Sequence, residues 1–245
     1  MTITVVTPVS PIPSHPGTQI LTQTLDSIRT CLPDTEIIVT FDGVRAEQED
    51  RRDDYELHIN EALWMFDHHY GSILPILFED HQHQTGMMRR TLNDIDTELI
   101  LYVEQDTPLV TDEPIDWDAI TGHITSGESN VVRLHHEGVI PQDHLHMMHG
   151  HDGQFIRTSQ WSQRPHVASV AYYRRIMDDC FTPDAKSFIE DKMHGVVDQA
   201  YRRDKMAGWM QHRIHIWDPG TGNMKRSYHL DGREGEAKYD DSQVF

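Results

Sequence analysis

The chain has 245 residues, which suits one large domain with a full hydrophobic core, or two small ones. Acidic residues outnumber basic ones by 40 to 21, and the net charge of −19 disfavours nucleic acid and anionic membrane surfaces as partners. The start of the chain lacks a basic stretch followed by an apolar one, and no run approaches the roughly 20 apolar residues that span a bilayer. These features predict a cytoplasmic protein without an integral membrane segment.

The first half of the chain alternates strand and helix patterns. Short apolar runs predict strands at residues 2–8, 36–41, 72–78 and 99–103. Apolar residues at helical spacing predict a helix from Thr18, with Cys31 as a buried thiol, a second after residue 54 and a third from Gly86. Pro75 assigns the third strand to an edge or a bulge, whereas the wholly apolar fourth strand is predicted to be central.

The second half is less regular. It predicts strands at residues 130–134, 154–158 and 213–217, and helices near 116–124, 168–180 and 187–206. We find no repeat and no linker, so the alternation predicts one α/β domain with a helix-covered, mainly parallel sheet.

Histidine is abundant, with 18 residues, and six of them fall in one short stretch. These six are His135, His136, His144, His146, His149 and His151. Their spacing would allow several to share one strand face as metal ligands, and a polar loop is the alternative. No cysteine joins them, and the chain has no His-Glu-x-x-His motif.

The most informative turn follows the fourth predicted strand. Glu104 and Asp106 flank Gln105 there, and ligands of open parallel sheets bind at the carboxyl ends of strands. Two carboxylates beside a phosphate site offer the oxygen ligands that Mg²⁺ or Mn²⁺ requires. An ordinary acidic turn is the alternative.

Several motifs together resemble the GT-A glycosyltransferases. Thr7-Pro8 ends the first strand, Asp42-Gly43 follows the second, and an apolar strand leads into Glu104-Gln105-Asp106. The likeness is to the large inverting family that includes polysaccharide synthases and bacterial sugar transferases. It covers residues 1–110, and residues 155–195 by motif order, where Glu190-Asp191 matches the family's general-base position.

The resemblance implies a single GT-A-like, Rossmann-like domain. Residues 1–110 would form the nucleotide-sugar-binding half, residues 111–220 the acceptor-binding half, and residues 221–245 a C-terminal lid or tail. It implies inverting transfer from a nucleotide diphosphate sugar to a hydroxyl of a glycan, a metabolite or a carrier-linked sugar, with Mn²⁺ or Mg²⁺ as cofactor.

Two chemical needs assign further candidate residues. The leaving diphosphate must be neutralised, and the acceptor hydroxyl must lose a proton. The candidate nucleotide-sugar contacts are Thr7, Pro8, Val9, Asp42, Arg89, Arg90 and Gln105. The candidate metal ligands are Asp106, Glu104 and His229, and the candidate catalytic carboxylates are Asp191 as base and Glu190 as its helper. Trp161 and Arg164 are the candidate acceptor contacts, and Arg226 and Arg233 are candidates for closing over the diphosphate.

Asp42 predicts which nucleotide base the donor sugar carries. A carboxylate at the end of the second strand can accept a hydrogen bond from the N3–H of uracil or thymine, which favours a UDP- or dTDP-linked sugar.

Two other functions compete with this interpretation. A nucleotidyltransferase acting on sugar phosphates needs a similar sheet, but usually has a glycine-rich basic loop after its first strand. Here that loop is proline-rich, and no lysine or arginine precedes Arg29. A non-enzymatic, histidine-rich metal-binding module is the second alternative, and it would make both acidic motifs coincidental.

Overall fold

A computed structural model describes residues 2–231 and 238–239. The strands of its main sheet are β1 (Ile3–Val9), β2 (Glu36–Phe41), β3 (Ile73–Leu77), β4 (Leu99–Tyr102), β5 (Val131–Arg133), β6 (Met148–Asp152), β7 (Phe155–Thr158), β8 (His166–Ser169) and β9 (Ile214–Trp217). The helices are α1 (Gln19–Cys31), α2 (Arg52–Met65), α3 (His83–Thr91), α4 (Trp117–Thr125), α5 (Val170–Cys180), α6 (Ile189–Asp204) and α7 (Met206–His212). A short antiparallel pair, β10 (Leu230–Asp231) and β11 (Lys238–Tyr239), lies apart from the sheet.

The main sheet has the strand order β3-β2-β1-β4-β8-β5-β9-β7-β6. Its first four strands are all parallel, and this half contains the predicted alternation of strands and helices. In the second half β8 and β7 run antiparallel to their neighbours, while β5 and β9 pair in parallel. The prediction of a single α/β domain is confirmed, and so are the edge position of β3, which contains Pro75, and the central position of β4.

The sheet is covered on both faces because its central strands are apolar on both. All of β1 is buried, with Val5 and Val9 in one core and Val6 in the other. Helices α1, α2 and α4 pack on the first face, and α3, α5 and α6 pack on the second. Burial of apolar surface on both faces therefore holds β1 and β4 at the middle of the domain.

Some elements differ from the predicted ones because they depend on distant contacts. Helix α3 begins at His83 rather than Gly86, because the Asp42 carboxylate accepts the backbone N–H groups of Gln82 and His83. The predicted helix over 187–206 ends at Asp204, and Lys205, with φ 53°, separates α6 from α7. Strands β6 and β8 were not predicted. Strand β8 has only four residues and is stabilised by antiparallel pairing with both β4 and β5.

In the part of the chain that the structure describes, no helix combines the length and apolar character needed to cross a bilayer.

Helix α7 crosses α6 so closely that only glycine fits at residue 208. A Cβ on Gly208 would lie 1.9 Å from the Ala200 carbonyl oxygen. We expect Gly208→Ala to lower the free energy of unfolding by about 1–3 kcal/mol, and the melting temperature by about 2–12 °C. Gly122→Ala in α4 is the matched control: its Cβ meets nothing within 4 Å, so it should be neutral or stabilising. Equal melting temperatures for the two variants would contradict the close crossing.

Candidate functional site

A cleft of about 410 Å³ opens beyond the carboxyl end of β4. Its lining residues are Glu104, Thr107, His136, Gln160, Ser162, Gln163, Arg164, Glu190, Asp191 and His229. The two acidic motifs, separated by more than 80 positions in the sequence, therefore share one cavity. The lining combines three carboxylates with potential hydrogen-bond donors such as Arg164 and Gln160.

Glu104 is held from two sides. The Tyr102 hydroxyl donates to Glu104 Oε1 at 3.2 Å, and the Gln84 side-chain amide donates to the same oxygen. Burial, followed by the charges of Asp106 and Glu190, raises the pKa of Glu104 to about 8. A cation between these carboxylates would lower their mutual repulsion.

Asp106 lies just beyond the end of β4, where it contacts the C-terminal segment at His229 and Leu230. Its Oδ2 atom is 3.4 Å from His229 Nε2, and its carbonyl oxygen accepts the Leu230 N–H at 2.8 Å. Among residues 2–231 and 238–239, no three His, Cys, Asp or Glu side chains are grouped as a complete metal site. Asp106 and His229 offer one oxygen and one nitrogen donor, so a divalent cation there would need its other ligands from outside these two side chains.

Glu190 and Asp191 occupy the first turn of α6 and differ in exposure. Glu190 Oε2 accepts the backbone N–H of Gln163 at 2.9 Å, which ties this carboxylate to the loop before β8. Asp191 is exposed at the cleft. Asp191 is therefore the more accessible carboxylate of the two.

Asp42 does not offer a free acceptor, which corrects its predicted contact with the nucleotide base. It is 2% exposed, and Oδ1 accepts the N–H groups of Gly43 and Gln82 at 2.9 and 2.6 Å. Oδ2 accepts the His83 N–H at 3.0 Å and lies 2.7 Å from His81 Nδ1. Three backbone N–H groups thus donate to this buried carboxylate, and two of them belong to the start of α3, which Asp42 therefore caps.

The residues at the end of β1 are also buried in the domain. The side chains of Thr7 and Val9 are fully buried, and the Pro8 carbonyl accepts the Gln105 N–H at 3.3 Å. The Gln105 side-chain amide donates to the Ser10 carbonyl at 3.0 Å. These residues join the ends of β1 and β4, so Thr7, Val9 and Gln105 shape the site rather than face the cleft.

Arg89 and Arg90 lie away from the cleft, in the last turn of α3 rather than its first turns. The Arg89 guanidinium donates to the Phe181 carbonyl at 3.2 Å and pairs with Asp178 at 3.1 Å, and Arg90 pairs with Asp94. Because α3 begins at the carboxyl edge of the sheet and runs back along it, its last turn is farthest from Glu104. The structure therefore gives both arginines protein partners outside the cleft lining, and their predicted contact with the diphosphate stays a prediction.

Trp161 is a core residue, which corrects its predicted stacking on an acceptor sugar. It is 1% exposed, and its indole N–H donates to Gln163 Oε1 at 2.8 Å. Arg164 does line the cleft, where both of its terminal nitrogens donate to Glu137, at 2.5 and 2.8 Å.

Arg226 is fully buried, with its guanidinium 5.3 Å from the Trp217 ring centre and its Nε donating to the Pro114 carbonyl at 3.2 Å. It therefore anchors the C-terminal segment and does not reach over a diphosphate. Arg233 lies outside the described residues.

The histidines of the 135–151 stretch make unrelated contacts. His135 Nε2 lies 3.2 Å from Glu137, His136 Nδ1 lies 2.6 Å from the Ser227 hydroxyl, and His149 stacks on Tyr201. Only His136 of this stretch lines the cleft, within the part of the chain the structure describes. His149 and His151 lie in β6, and among the described residues no three of these histidines are grouped as metal ligands.

Sequence reasoning missed several residues of this cleft. Gln160, Ser162 and Gln163 line it from a polar loop, and Gln84, at the start of α3, bonds to the lining residue Glu104. No spacing or charge pattern distinguishes them from solvent-exposed residues of the same types. Only the fold brings them to the carboxylates.

Solved structures of glycosyltransferases share the fold of this chain. No family model and no curated protein matches the chain. Residues 1–349 of S. aureus TarS in complex with UDP-GlcNAc superpose with a TM-score of 0.56 at 14% identity, covering 100% of this chain and 62% of that one. GalNAc-T7 with UDP, GalNAc and Mn²⁺ gives 0.56 at 10%, covering 89% and 42%.

The mannosyltransferase PcManGT from Pyrobaculum calidifontis, in complex with GDP-Man and Mn²⁺, gives a TM-score of 0.53 at 11% identity, covering 90% of this chain and 58% of that one. The chain thus spans less than two thirds of each of these proteins. At such identities the comparisons establish the fold: this chain has the GT-A glycosyltransferase fold.

Proposed function

We propose that the chain is a glycosyltransferase that moves a sugar from a nucleotide diphosphate sugar to a hydroxyl acceptor, with inversion. This proposal rests on one observation: the Glu104/Asp106 turn and the Glu190/Asp191 turn lie at the same cleft of a GT-A fold. Sugar transfer passes through an oxocarbenium-like transition state, and these turns supply its two needs, at the leaving diphosphate and at the attacking hydroxyl.

The diphosphate belongs at Asp106 in this proposal. Asp106 and His229 would hold Mn²⁺ or Mg²⁺, which supplies positive charge to the departing diphosphate. Leu230 bonds to the Asp106 carbonyl, which supports a role of the segment after residue 220 as a lid over the donor. Residues 1–110 then form the donor half, and residues 111–220 form the acceptor half.

The acceptor belongs at the start of α6. Asp191 would take the proton from the attacking hydroxyl, while Glu190 stays oriented by the Gln163 N–H. Attack from the face opposite the leaving diphosphate inverts the anomeric carbon. Arg164, which also lines the cleft, would contact the acceptor, which we propose to be a glycan, a metabolite or a carrier-linked sugar.

A nucleotide series tests the donor class. Two of the compared structures hold UDP or UDP-GlcNAc, so UDP is the first nucleotide to test. With Mn²⁺, UDP at about 100 times its Kd should raise the melting temperature by about 5–10 °C, more than ADP or CMP does. Since Asp42 is buried and accepts three backbone N–H groups, Asp42→Asn should lower the melting temperature without changing the nucleotide ranking.

The same series separates the alternatives. A larger shift with CTP or UTP than with any nucleoside diphosphate would favour a nucleotidyltransferase. Several tightly bound Zn²⁺ ions per chain and no shift with any nucleotide would favour the metal-binding module, and would exclude the glycosyltransferase.

A further inference from the structure

One side chain touches both acidic turns of the cleft. Gln84 is the second residue of α3, and its Nε2 donates to Glu104 Oε1 while its Oε1 accepts the Ile189 N–H at 3.2 Å. Ile189 is the first residue of α6, directly before Glu190. A single amide therefore spans the gap between the end of β4 and the start of α6.

The amide has only one workable orientation. The Ile189 N–H is a donor at a helix start, without a partner inside its own helix, so it must meet the amide oxygen. The NH₂ group then faces Glu104, whose Oε1 atom accepts its hydrogen bond. A flipped amide would lose both bonds, so the Gln84 contacts define the direction of the Glu104 carboxylate as well as the position of α6.

The neighbouring residue holds the same two segments together by separate bonds. The Thr85 hydroxyl donates to the Ala185 carbonyl at 2.6 Å and accepts the Ser187 N–H at 3.1 Å. The Thr85 N–H also donates to the Ser187 carbonyl at 3.2 Å. The loop before α6 therefore stays attached to α3 without Gln84, and the Gln84 amide adds the link to Glu104.

We infer that Gln84 is a positioning residue, which sets the orientation of Glu104 relative to the base-carrying turn at Glu190-Asp191. This inference rests on the proposed function. Misplacement of reacting groups by about 1 Å can slow a reaction about 10²-fold, and Gln84 is the shared contact of the groups that serve the two ends of the transfer. Its loss should lower kcat and leave donor binding and folding largely intact.

Two substitutions separate the two bonds of Gln84. Gln84→Met has similar length and loses both bonds, whereas Gln84→Glu still accepts the Ile189 N–H but places a carboxylate against Glu104. With UDP-GlcNAc as donor, water as acceptor and Mn²⁺ present, release of UDP gives kcat and KM. Both variants should lose about 10–100-fold in kcat, with Gln84→Glu at least as slow as Gln84→Met, and with little change in KM or melting temperature.

Gln82→Met is the matched control, because the Gln82 side chain donates only to the Asp80 carbonyl in its own loop. It should keep kcat. Normal kcat in Gln84→Met would overturn the positioning role. Normal kcat in Gln84→Glu together with a low kcat in Gln84→Met would show that Gln84 acts only through its bond to the start of α6. That outcome would overturn the link to Glu104. A wild-type chain that binds no nucleotide and transfers no sugar would instead overturn the proposed function, and with it the role of Gln84.

Discussion

Replacing Asp191 by asparagine is expected to lower turnover by about 10²–10⁴-fold, because the amide keeps the shape of the side chain and cannot accept the hydroxyl proton. Asp191 is the exposed member of its pair, whereas Glu190 is already bound to the Gln163 N–H. Donor binding should hardly change, since the base faces the acceptor and not the diphosphate. Release of UDP from UDP-GlcNAc measures the turnover, and a thermal shift with UDP measures the binding.

Asp198→Asn is the control for this substitution. Asp198 lies two turns further along α6, where it pairs with Arg202 at 2.7 Å, so the same chemical change there should leave turnover unaltered. Normal turnover in Asp191→Asn together with loss of turnover in Glu190→Gln would move the base to Glu190. Normal turnover in both would show that the resemblance to inverting transferases stops before residue 155.

Removing the Asp106 carboxylate should abolish the Mn²⁺-dependent part of nucleotide binding. In the wild-type chain, Mn²⁺ with UDP at about 100 times its Kd should add about 2.7 kcal/mol of stability. In Asp106→Ala the shift should fall to the value measured with EDTA. The fold should persist, because the Leu230 contact at this turn uses the backbone carbonyl of Asp106 and not its side chain.

Asp67→Ala removes the same charge at a side chain that is 86% exposed, outside the cleft, and should keep the full shift with Mn²⁺. This control separates loss of a ligand from a general change in the field of a strongly acidic chain. An unchanged shift in Asp106→Ala would refute the assignment of Asp106 as a metal ligand. Glu104→Gln is a useful companion: it keeps a side chain that can bond to Tyr102, so retained binding in it would leave Asp106 as the principal carboxylate.

The candidate site shows where residue-level prediction works and where it fails. Glu104 and Asp106 could be found because an apolar strand leads directly into them, and a strand end of a parallel sheet has a known place. Trp161 and Arg89 could not be placed in the same way. An aromatic residue in a polar loop looks the same in sequence whether it is exposed or 1% exposed, and Arg89 faces away because α3 starts three residues earlier than its glycine indicated.

Asp42 illustrates the same limit more sharply. Its position after β2 was predictable, but three of its four contacts come from a loop about 40 residues away. This loop approaches so closely that a Cβ on Gly43 would lie 2.2 Å from the Asp80 carbonyl carbon. A polar residue at a strand end can face a ligand or cap a neighbouring helix, and only the neighbouring backbone decides between them.

The amino-acid sequence by itself determined the fold class, the parallel first half and the acidic turn, because local hydrophobic periods and short motifs encode them. The tertiary structure alone decided that β8 inserts between β4 and β5, that Glu190 and Asp191 meet Glu104 in one cleft, and that Gln84 joins them. The physical reason is the sequence distance over which each kind of interaction acts. Burial patterns act over a few residues, whereas strand pairing and side-chain hydrogen bonds across 20 to 105 positions form only once the whole sheet has assembled.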